Sequence, residues 1–368
     1  MTLLYEWSLH AKGRDSYPNA IVFDSPLIPR ESSPPRCTLL MMAETTSLYA
    51  TQLRRELTLR NRVWARRCAH VESYGTVPVI VYEPDGRRHG NFFDAAYASI
   101  LARPEWLRRF DKVHAQAARS LPKSSRRWRE LDSSMSSDAL LMNVFCAPGV
   151  AESTAVRILL GVDDSAEPIF GWKARVPLTH EKFDRTEVDM RFGSLLVEAK
   201  LTEADFQSRA AAIVESYRDF SEVFDRDRLP RAEIAKARWM RASEFPENVS
   251  QEFESVVADP TLFTAIDGSF RPPGEEGYAS YQLIRNVLAA YATGASFCVF
   301  HDERRPDLRE AWFAVMAAVK ISGLRTHLKV LTWQELAAVL PAELQEFLDL
   351  KYGITAPGRE PSPLELAS

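Results

Sequence analysis

Apolar residues recur along the chain with two different periods. Segments with apolar residues three or four positions apart are typical of helices, and short alternating or continuous apolar runs are typical of strands. The pattern predicts helices on both sides of Pro104 and over residues 48–70, 136–145, 151–162, 201–224, 280–294, 306–320 and 333–354. It predicts strands over residues 77–82, 169–176, 186–192, 194–200, 295–302 and 326–332. This order favours an α/β fold with a mixed central sheet flanked by helices.

Two neighbouring predicted strands, "TEVDMRF" and "SLLVEAK", form a hairpin with an unusual concentration of charge. Period-two geometry places Glu187 and Asp189 on one face of the first strand, and Glu198 and Lys200 on one face of the second. A turn centred on Gly193–Ser194 puts Asp189 opposite Glu198, and a turn centred on residues 192–193 makes them diagonal neighbours. Either register brings the charged side chains within reach of a common ion.

Like charges on adjacent strands are unfavourable unless something neutralises them. A divalent cation would do so, because Mg²⁺ prefers one or two carboxylates together with water and phosphate oxygens. Bound Mg²⁺ polarises a phosphate and lowers the pKa of a bound water, and a lysine can orient or deprotonate that water and offset charge. The arrangement is therefore typical of phosphodiester hydrolysis.

Asp189, eight intervening residues and then Glu198-Ala-Lys200 resemble the motif of the PD-(D/E)xK nuclease superfamily. Four further segments resemble a group of restriction-endonuclease-like proteins within it: "SSDALLMNVF", "RTEVDM…LLVEAKLTEADF", "YQLIRN…FHDERRPDL" and "LTWQEL…FLDLKYGI". The resemblance spans about residues 131–353. It implies a restriction-endonuclease-like core in the order helix, three strands, helix, strand (αβββαβ), with a crossover helix directly after Lys200.

The resemblance also implies roles for individual residues. Asp189 and Glu198 would bind Mg²⁺, with Mn²⁺ as an alternative, Lys200 would serve catalysis, and Glu187 would be a further acidic ligand. Supporting positions are predicted at Gln282 and Arg285, one helical turn apart, and at Asn143; the alternative explanation for these positions is a solvent face or interhelical hydrogen bonds. Hydrolysis by a metal-activated water would make the chain a DNA endonuclease, in a restriction or defence role.

Charge is distributed unevenly along the chain. The net charge is −4, yet residues 50–130 hold 17 Lys/Arg against 8 Asp/Glu, a balance of +9. We therefore predict a basic, mostly helical N-terminal extension over residues 1–130 that helps to hold DNA, before the core at 131–353 and a mobile tail at 354–368. Arg304 and Arg305, in a charged run after a strand, are a solvated loop or further phosphate contacts.

Composition leaves location and two alternatives to consider. No apolar run approaches membrane-spanning length, the first residues do not follow the order of a signal peptide, and the four cysteines form no CxxC pair, so we predict a cytoplasmic protein. Double-strand cleavage with one site per chain would favour a homodimer. One alternative is a catalytically inactive nuclease fold that binds nucleic acid or acts as a scaffold. The other is an unrelated α/β protein whose hairpin is merely an exposed acidic face.

Overall fold

The computed structural model describes residues 36–68, 72–74, 79–112, 129–163, 165–185, 187–234 and 275–363. The chain divides into two units, Met1–Met41 and Met42–Ser368. The described part of the first unit is the beginning of one long helix. Residues 1–35 and 113–128, which belong to the predicted basic N-terminal extension, lie outside the described residues.

The helices of the described residues are mostly short, and they occur before, between and after the strands. Their bounds are α1 Arg36–Cys68, α2 Asp94–Ala102, α3 Pro104–Phe110, α4 Ser137–Phe145, α5 Thr154–Leu160, α6 Ala211–Val214, α7 Phe220–Val223, α8 Tyr281–Thr293, α9 Pro306–Ala318, α10 Ser322–Arg325, α11 Trp333–Ala337 and α12 Ala342–Tyr352. Within these residues, none of the helices is long and apolar enough to cross a membrane.

The strands are β1 Glu72–Tyr74, β2 Val79–Val81, β3 Pro84–Asp85, β4 Arg88–His89, β5 Pro168–Lys173, β6 Val176–Pro177, β7 Phe183–Asp184, β8 Glu187–Phe192, β9 Leu195–Ala199, β10 Arg209–Ala210, β11 Arg231–Ile234, β12 Glu275–Tyr278, β13 Ser296–His301 and β14 Leu328–Thr332. Five of them form the central sheet, in the order β14-β13-β9-β8-β5. The pairs β5/β8 and β8/β9 are antiparallel, whereas β9/β13 and β13/β14 are parallel. The predicted mixed α/β sheet is thus confirmed.

Each face of the central sheet is covered by its own apolar core. Val197 and Phe300 face one core, which also contains residues of α1–α5, α11 and α12. Leu196 and Val299 face the other, with residues of α6–α10. Because successive side chains of a strand point to opposite faces and both faces are covered, β9 and β13 are apolar at most positions, with Glu198 in β9 and Ser296 and His301 in β13 as the exceptions.

The segment after Lys200 departs from the prediction. The sequence predicts one helix over residues 201–224, but these residues contain a run of bends, the short strand β10 and the single turns α6 and α7. Arg305 binds the carbonyl oxygens of Glu203 and Ala204 at 2.7 and 3.0 Å, and these are oxygens that a helix would use for its own hydrogen bonds. The crossover between the parallel strands β9 and β13 is made by α8 instead.

The division of the chain at residues 131 and 354 stays a prediction. Described residues on either side of each position are nevertheless packed together. Leu57 of α1 and Phe110 of α3 lie in the same core as Val197. Beyond residue 353, Ile354 is buried, and Ser362 donates to Asp349 through its backbone N–H and its hydroxyl.

Candidate active site

A tight turn sets the register of the acidic hairpin. Gly193 has φ 59°, and it is the first of two residues that connect Phe192 to its partner Leu195. Positive φ at this position is typical of the type II′ turns that match strand twist. The turn is centred on Gly193–Ser194, the first of the two registers considered, and the ladder runs on to Met190 opposite Val197.

Beyond that pair, a side chain rather than the backbone of β8 binds β9. Asp189 is the next residue of β8, and its Oδ2 accepts the backbone N–H of Ala199 at 2.8 Å. The carboxylate of Asp189 therefore lies against the end of β9, beside Glu198 and Lys200. The structure thus brings together the two acids and the lysine that the motif singled out.

Glu198 and Lys200 form a buried ion pair. Only 1% of Glu198 and 5% of Lys200 are exposed, and Lys200 Nζ lies 2.7 Å from Glu198 Oε1. The backbone of Lys200 is held from two sides, since its N–H donates to Phe300 and its carbonyl oxygen accepts from the Trp333 indole at 2.9 Å. This burial contradicts the alternative in which the hairpin is only an exposed acidic face.

Burial and neighbouring charges shift the pKa values of the three ionisable groups differently. Burial and then the charges of Glu198 and Asp138 raise the pKa of Asp189 well above its usual value. Burial would also raise the pKa of Glu198, but the charges of Lys200 and Arg285 and hydrogen bonds outweigh it, so this pKa is lowered. Burial opposes the charge on Lys200, yet Glu198, Glu203 and Asp189 raise its pKa. Lys200 is therefore a cation, and Asp189 carries an electrostatic cost.

The donor set fits a cation that keeps part of its water. Among the described residues, no group of three or more His, Cys, Asp or Glu side chains is arranged to hold a metal ion. Two carboxylates are present, and within the same residues Asp189 Oδ1 has no hydrogen-bond partner. Mg²⁺ needs only one or two carboxylates when waters and substrate phosphate complete its octahedron. The site therefore fits Mg²⁺ held by Asp189 and Glu198, and not a closed protein cage.

Glu187 lies away from this pair. Its Oε2 accepts from Arg109 Nη1 of α3 at 3.0 Å, and Arg109 Nη2 also donates to Asp138 of α4. Gly171 of β5 has φ 63°, and a Cβ there would lie 3.1 Å from Arg109 Nη1, so glycine leaves room for the guanidinium. Glu187 is consequently engaged by an arginine, and its role as a metal ligand stays a prediction.

The three supporting residues have different positions. Asn143 binds Phe93 N–H and the carbonyl oxygens of Asn91 and Ala139, and these contacts connect α4 to the start of α2 rather than to the acids. Arg285 is 3% exposed and its Nη2 donates to the carbonyl oxygen of Glu187 at 3.0 Å. Within the part of the chain that the structure describes, the buried atoms Gln282 Oε1 and Arg285 Nε have no hydrogen-bond partner. Arg285 interacts electrostatically with Glu198, whereas the supporting role of Gln282 stays a prediction.

Several site residues were not found from the sequence. Asn286 donates to Glu198 Oε2 at 2.8 Å, and Asp138 and Arg109 interact electrostatically with Asp189. Asn286 directly follows Arg285 in the predicted helix, which was the available signal. Arg109 and Asp138 are distant in sequence, so only the tertiary packing of α3 and α4 against the sheet brings them there.

Arg304 and Arg305, read from the sequence as a solvated loop or as phosphate contacts, are both ion-paired within the protein. Arg305 is fully buried and its Nη2 binds Asp307 Oδ2 at 2.7 Å. Arg304 Nη2 lies 2.6 Å from Asp302 Oδ2, and its Nη1 binds Glu56. Both guanidinium groups are therefore paired within the protein and do not form a free cationic surface.

The mixed α/β fold and the buried hairpin are compatible with a restriction-endonuclease-like protein. The chain belongs to the family described as Restriction Endonuclease associating with ARP (REase-ARP), whose model matches residues 62–353. The resemblance to a restriction-endonuclease-like group is thereby confirmed, and the match begins within α1. No curated protein and no solved structure matched the chain.

Proposed function

We propose that the protein is a Mg²⁺-dependent DNA endonuclease of the PD-(D/E)xK type, with Asp189, Glu198 and Lys200 as its active site. The observation that carries the proposal is the convergence of Asp189 on a buried Glu198–Lys200 pair. The pKa of Asp189 is raised by burial and by Glu198, a cost that a bound cation would relieve. Membership of a restriction endonuclease family supports DNA as the substrate.

The order of elements supports the same assignment. Helix α4 precedes the antiparallel strands β5, β8 and β9, and α8 then leads into the parallel strand β13. This is similar to the helix, three strands, helix, strand order of the PD-(D/E)xK core. Asp189 and Glu198 lie on its second and third strands, as in that motif.

The residues suggest a division of labour in hydrolysis. Mg²⁺ held by Asp189 and Glu198 would polarise the phosphate and lower the pKa of a bound water. Lys200, whose pKa is raised by the acids around it, is a cation, so it orients the attacking water and stabilises negative charge on the phosphorane. A cationic ammonium has no lone pair, and Lys200 is therefore not the general base in this charge state.

Cleavage of supercoiled plasmid DNA tests the proposal. The near-isosteric variants Asp189→Asn, Glu198→Gln and Lys200→Met remove one charge each, and we expect each to lower the Mg²⁺-dependent rate by about 10²-fold or more. Glu222→Gln is a matched control, because Glu222 accepts from Tyr291 at an exposed position. EDTA should abolish cleavage, and Mn²⁺ should restore it. Equal cutting by all five proteins would refute the assignment.

A catalytically inactive nuclease fold that binds nucleic acid is the second candidate. Its supporting observation is that both Glu198 oxygens are already engaged, one by Lys200 and one by Asn286. This candidate predicts DNA binding that weakens steeply with salt, because phosphate contacts release counterions, and no Mg²⁺-dependent cleavage. A filter-binding salt series run beside the plasmid assay separates the two.

A further inference from the structure

Asn286 connects the Glu198 carboxylate to the opposite strand of the hairpin. Its Nδ2 donates to Glu198 Oε2 at 2.8 Å, and its Oδ1 accepts from Arg285 Nη2, also at 2.8 Å. The same Nη2 reaches the carbonyl oxygen of Glu187 on β8. Helix α8 thereby joins β8 to the carboxylate on β9.

The direction of these hydrogen bonds is fixed by chemistry. A guanidinium has donors only, so the amide oxygen of Asn286 must face Arg285. The amide NH₂ must then face Glu198, whose carboxylate only accepts. Asn286 is fully buried and Arg285 is 3% exposed, so neither group can turn to water instead. The two contacts hold the carboxamide in one orientation.

Glu198 is consequently held at both oxygens. Lys200 binds Oε1 at 2.7 Å and Asn286 binds Oε2. An ionised carboxylate has about four lone-pair sites, so two remain for a cation after these contacts. Without Asn286, the carboxylate could rotate about its terminal torsion toward Lys200, and the remaining lone pairs would lose their fixed direction.

We infer that Asn286 is a positioning residue that orients Glu198 for the divalent cation, with Arg285 holding the carboxamide. The inference rests on the proposed function and adds to it a residue that contacts neither cation nor substrate. Groups that orient metal ligands commonly change metal affinity by about 10–100-fold when they are removed. Asn286 has the contacts expected of such a group.

Metal binding without DNA is the primary test. Asn286→Leu keeps the branched shape of the side chain and removes the donor, whereas Asn286→Ser shortens the side chain and keeps an O–H donor. Titration of free Mn²⁺ by electron paramagnetic resonance should show about 10–100-fold weaker binding for Asn286→Leu, with Asn286→Ser between it and the wild type. Tyr291→Phe is the control. Tyr291 lies on α8, as Asn286 does, but its hydroxyl donates to Glu222 of α7, away from the acids.

A second readout separates positioning from loss of structure. In plasmid cleavage, the Mg²⁺ concentration at half-maximal rate should rise for Asn286→Leu, while the rate at saturating Mg²⁺ recovers most of the wild-type value. A variant that has lost its fold would instead have a lower maximal rate at every Mg²⁺ concentration and a lower melting temperature.

The outcomes are distinguishable. If the wild type binds Mn²⁺ and cuts, and both Asn286 variants bind Mn²⁺ as tightly as the wild type, the positioning role is overturned and the proposed function stands. If the wild type itself neither binds Mn²⁺ nor cuts DNA, the proposed function fails, and the positioning role fails with it.

Discussion

Two buried charged clusters lie at the carboxyl ends of neighbouring parallel strands. The site cluster, at the end of β9, consists of Asp189, Glu198, Lys200, Arg285 and Asn286. The arginine cluster, after β13, consists of Asp302, Arg304, Arg305, Asp307 and Gln334. Both remove several charges from water, and their electrostatics differ.

The arginine cluster is fully matched. Asp302 accepts from Arg304 and from Gln334, and Arg305 binds Asp307 and the backbone of the loop after Lys200. None of its five residues has a buried side-chain atom without a partner. The site cluster instead contains an aspartate with a raised pKa and the unpartnered Arg285 Nε. A group with a strongly shifted pKa, next to a cluster whose polar groups are all hydrogen-bonded, is typical of a functional site.

The largest expected effect comes from breaking the matched cluster. Arg305→Met would leave the buried Asp307 carboxylate without its donor, and it would remove the donor that binds the carbonyl oxygens of Glu203 and Ala204. We expect the free energy of unfolding to fall by about 3–5 kcal/mol, the usual cost of removing one partner of a buried ion pair. Urea denaturation monitored by circular dichroism measures it.

Arg309→Met is the matched control for that variant. Arg309 is exposed on α9 and lies over the Phe313 ring at 5.7 Å, so its loss should change stability by no more than about 0.5 kcal/mol. Equal losses in the two variants would show that the arginine cluster is not the stabilising frame that its contacts indicate.

Arg305 also shows where sequence reasoning reached its limit. Local pattern predicted the hairpin and gave the turn at Gly193–Ser194 as one of two registers, because those contacts are set within fifteen residues of chain. The helix predicted after Lys200 was wrong because Arg305, about a hundred residues later, binds its carbonyl oxygens. Asn286 and Glu198, which are in contact, are also separated by 88 positions in the sequence. Contacts of this kind depend on tertiary packing, which periodicity does not report.

Removing a charge from the site cluster should raise the free energy of unfolding, whereas Arg305→Met lowers it. Because the pKa of Asp189 is raised in the folded state, the folded chain holds more protons than the unfolded chain between the ordinary and the raised pKa. The free energy of unfolding therefore falls as pH rises through that window. Asp189→Asn removes this cost, and we expect a gain of about 1–2 kcal/mol at neutral pH together with loss of cleavage.

Thermal melts of wild type and Asp189→Asn in EDTA, from pH 4 to 8, measure that difference. The difference in stability should grow with pH and shrink toward zero near the ordinary pKa of aspartate, about 4. Mg²⁺ should stabilise only the wild type, by binding the folded state. A destabilised Asp189→Asn variant would mean that the site cluster is matched like the arginine cluster.

The smallest expected effect concerns Lys351, a buried amine that can be compared with Lys200 of the site cluster. Lys351 of α12 is fully buried, its Nζ donates to Asn61, and it lies 4.4 Å from the Tyr82 ring and 5.0 Å from the Tyr352 ring. Burial lowers its pKa well below the usual value, and Cys68 opposes this weakly. Unlike Lys200, it has no carboxylate partner among the described residues, so burial decides its charge.

The pH dependence of stability follows from that lowered pKa. Between the folded and the ordinary pKa, the unfolded chain carries the proton and the folded chain does not, so the free energy of unfolding rises with pH by up to about 1.4 kcal/mol per unit. Lys351→Met should remove this slope and gain stability over the wild type as pH falls through the window, whereas Lys173→Met, at an exposed position on β5, should leave the slope unchanged. Urea denaturation from pH 6 to 10 tests this, and an unchanged slope in Lys351→Met would show that the buried amine keeps its proton. In that case, the lack of a carboxylate partner among the described residues would not make the charge of Lys351 different from that of Lys200.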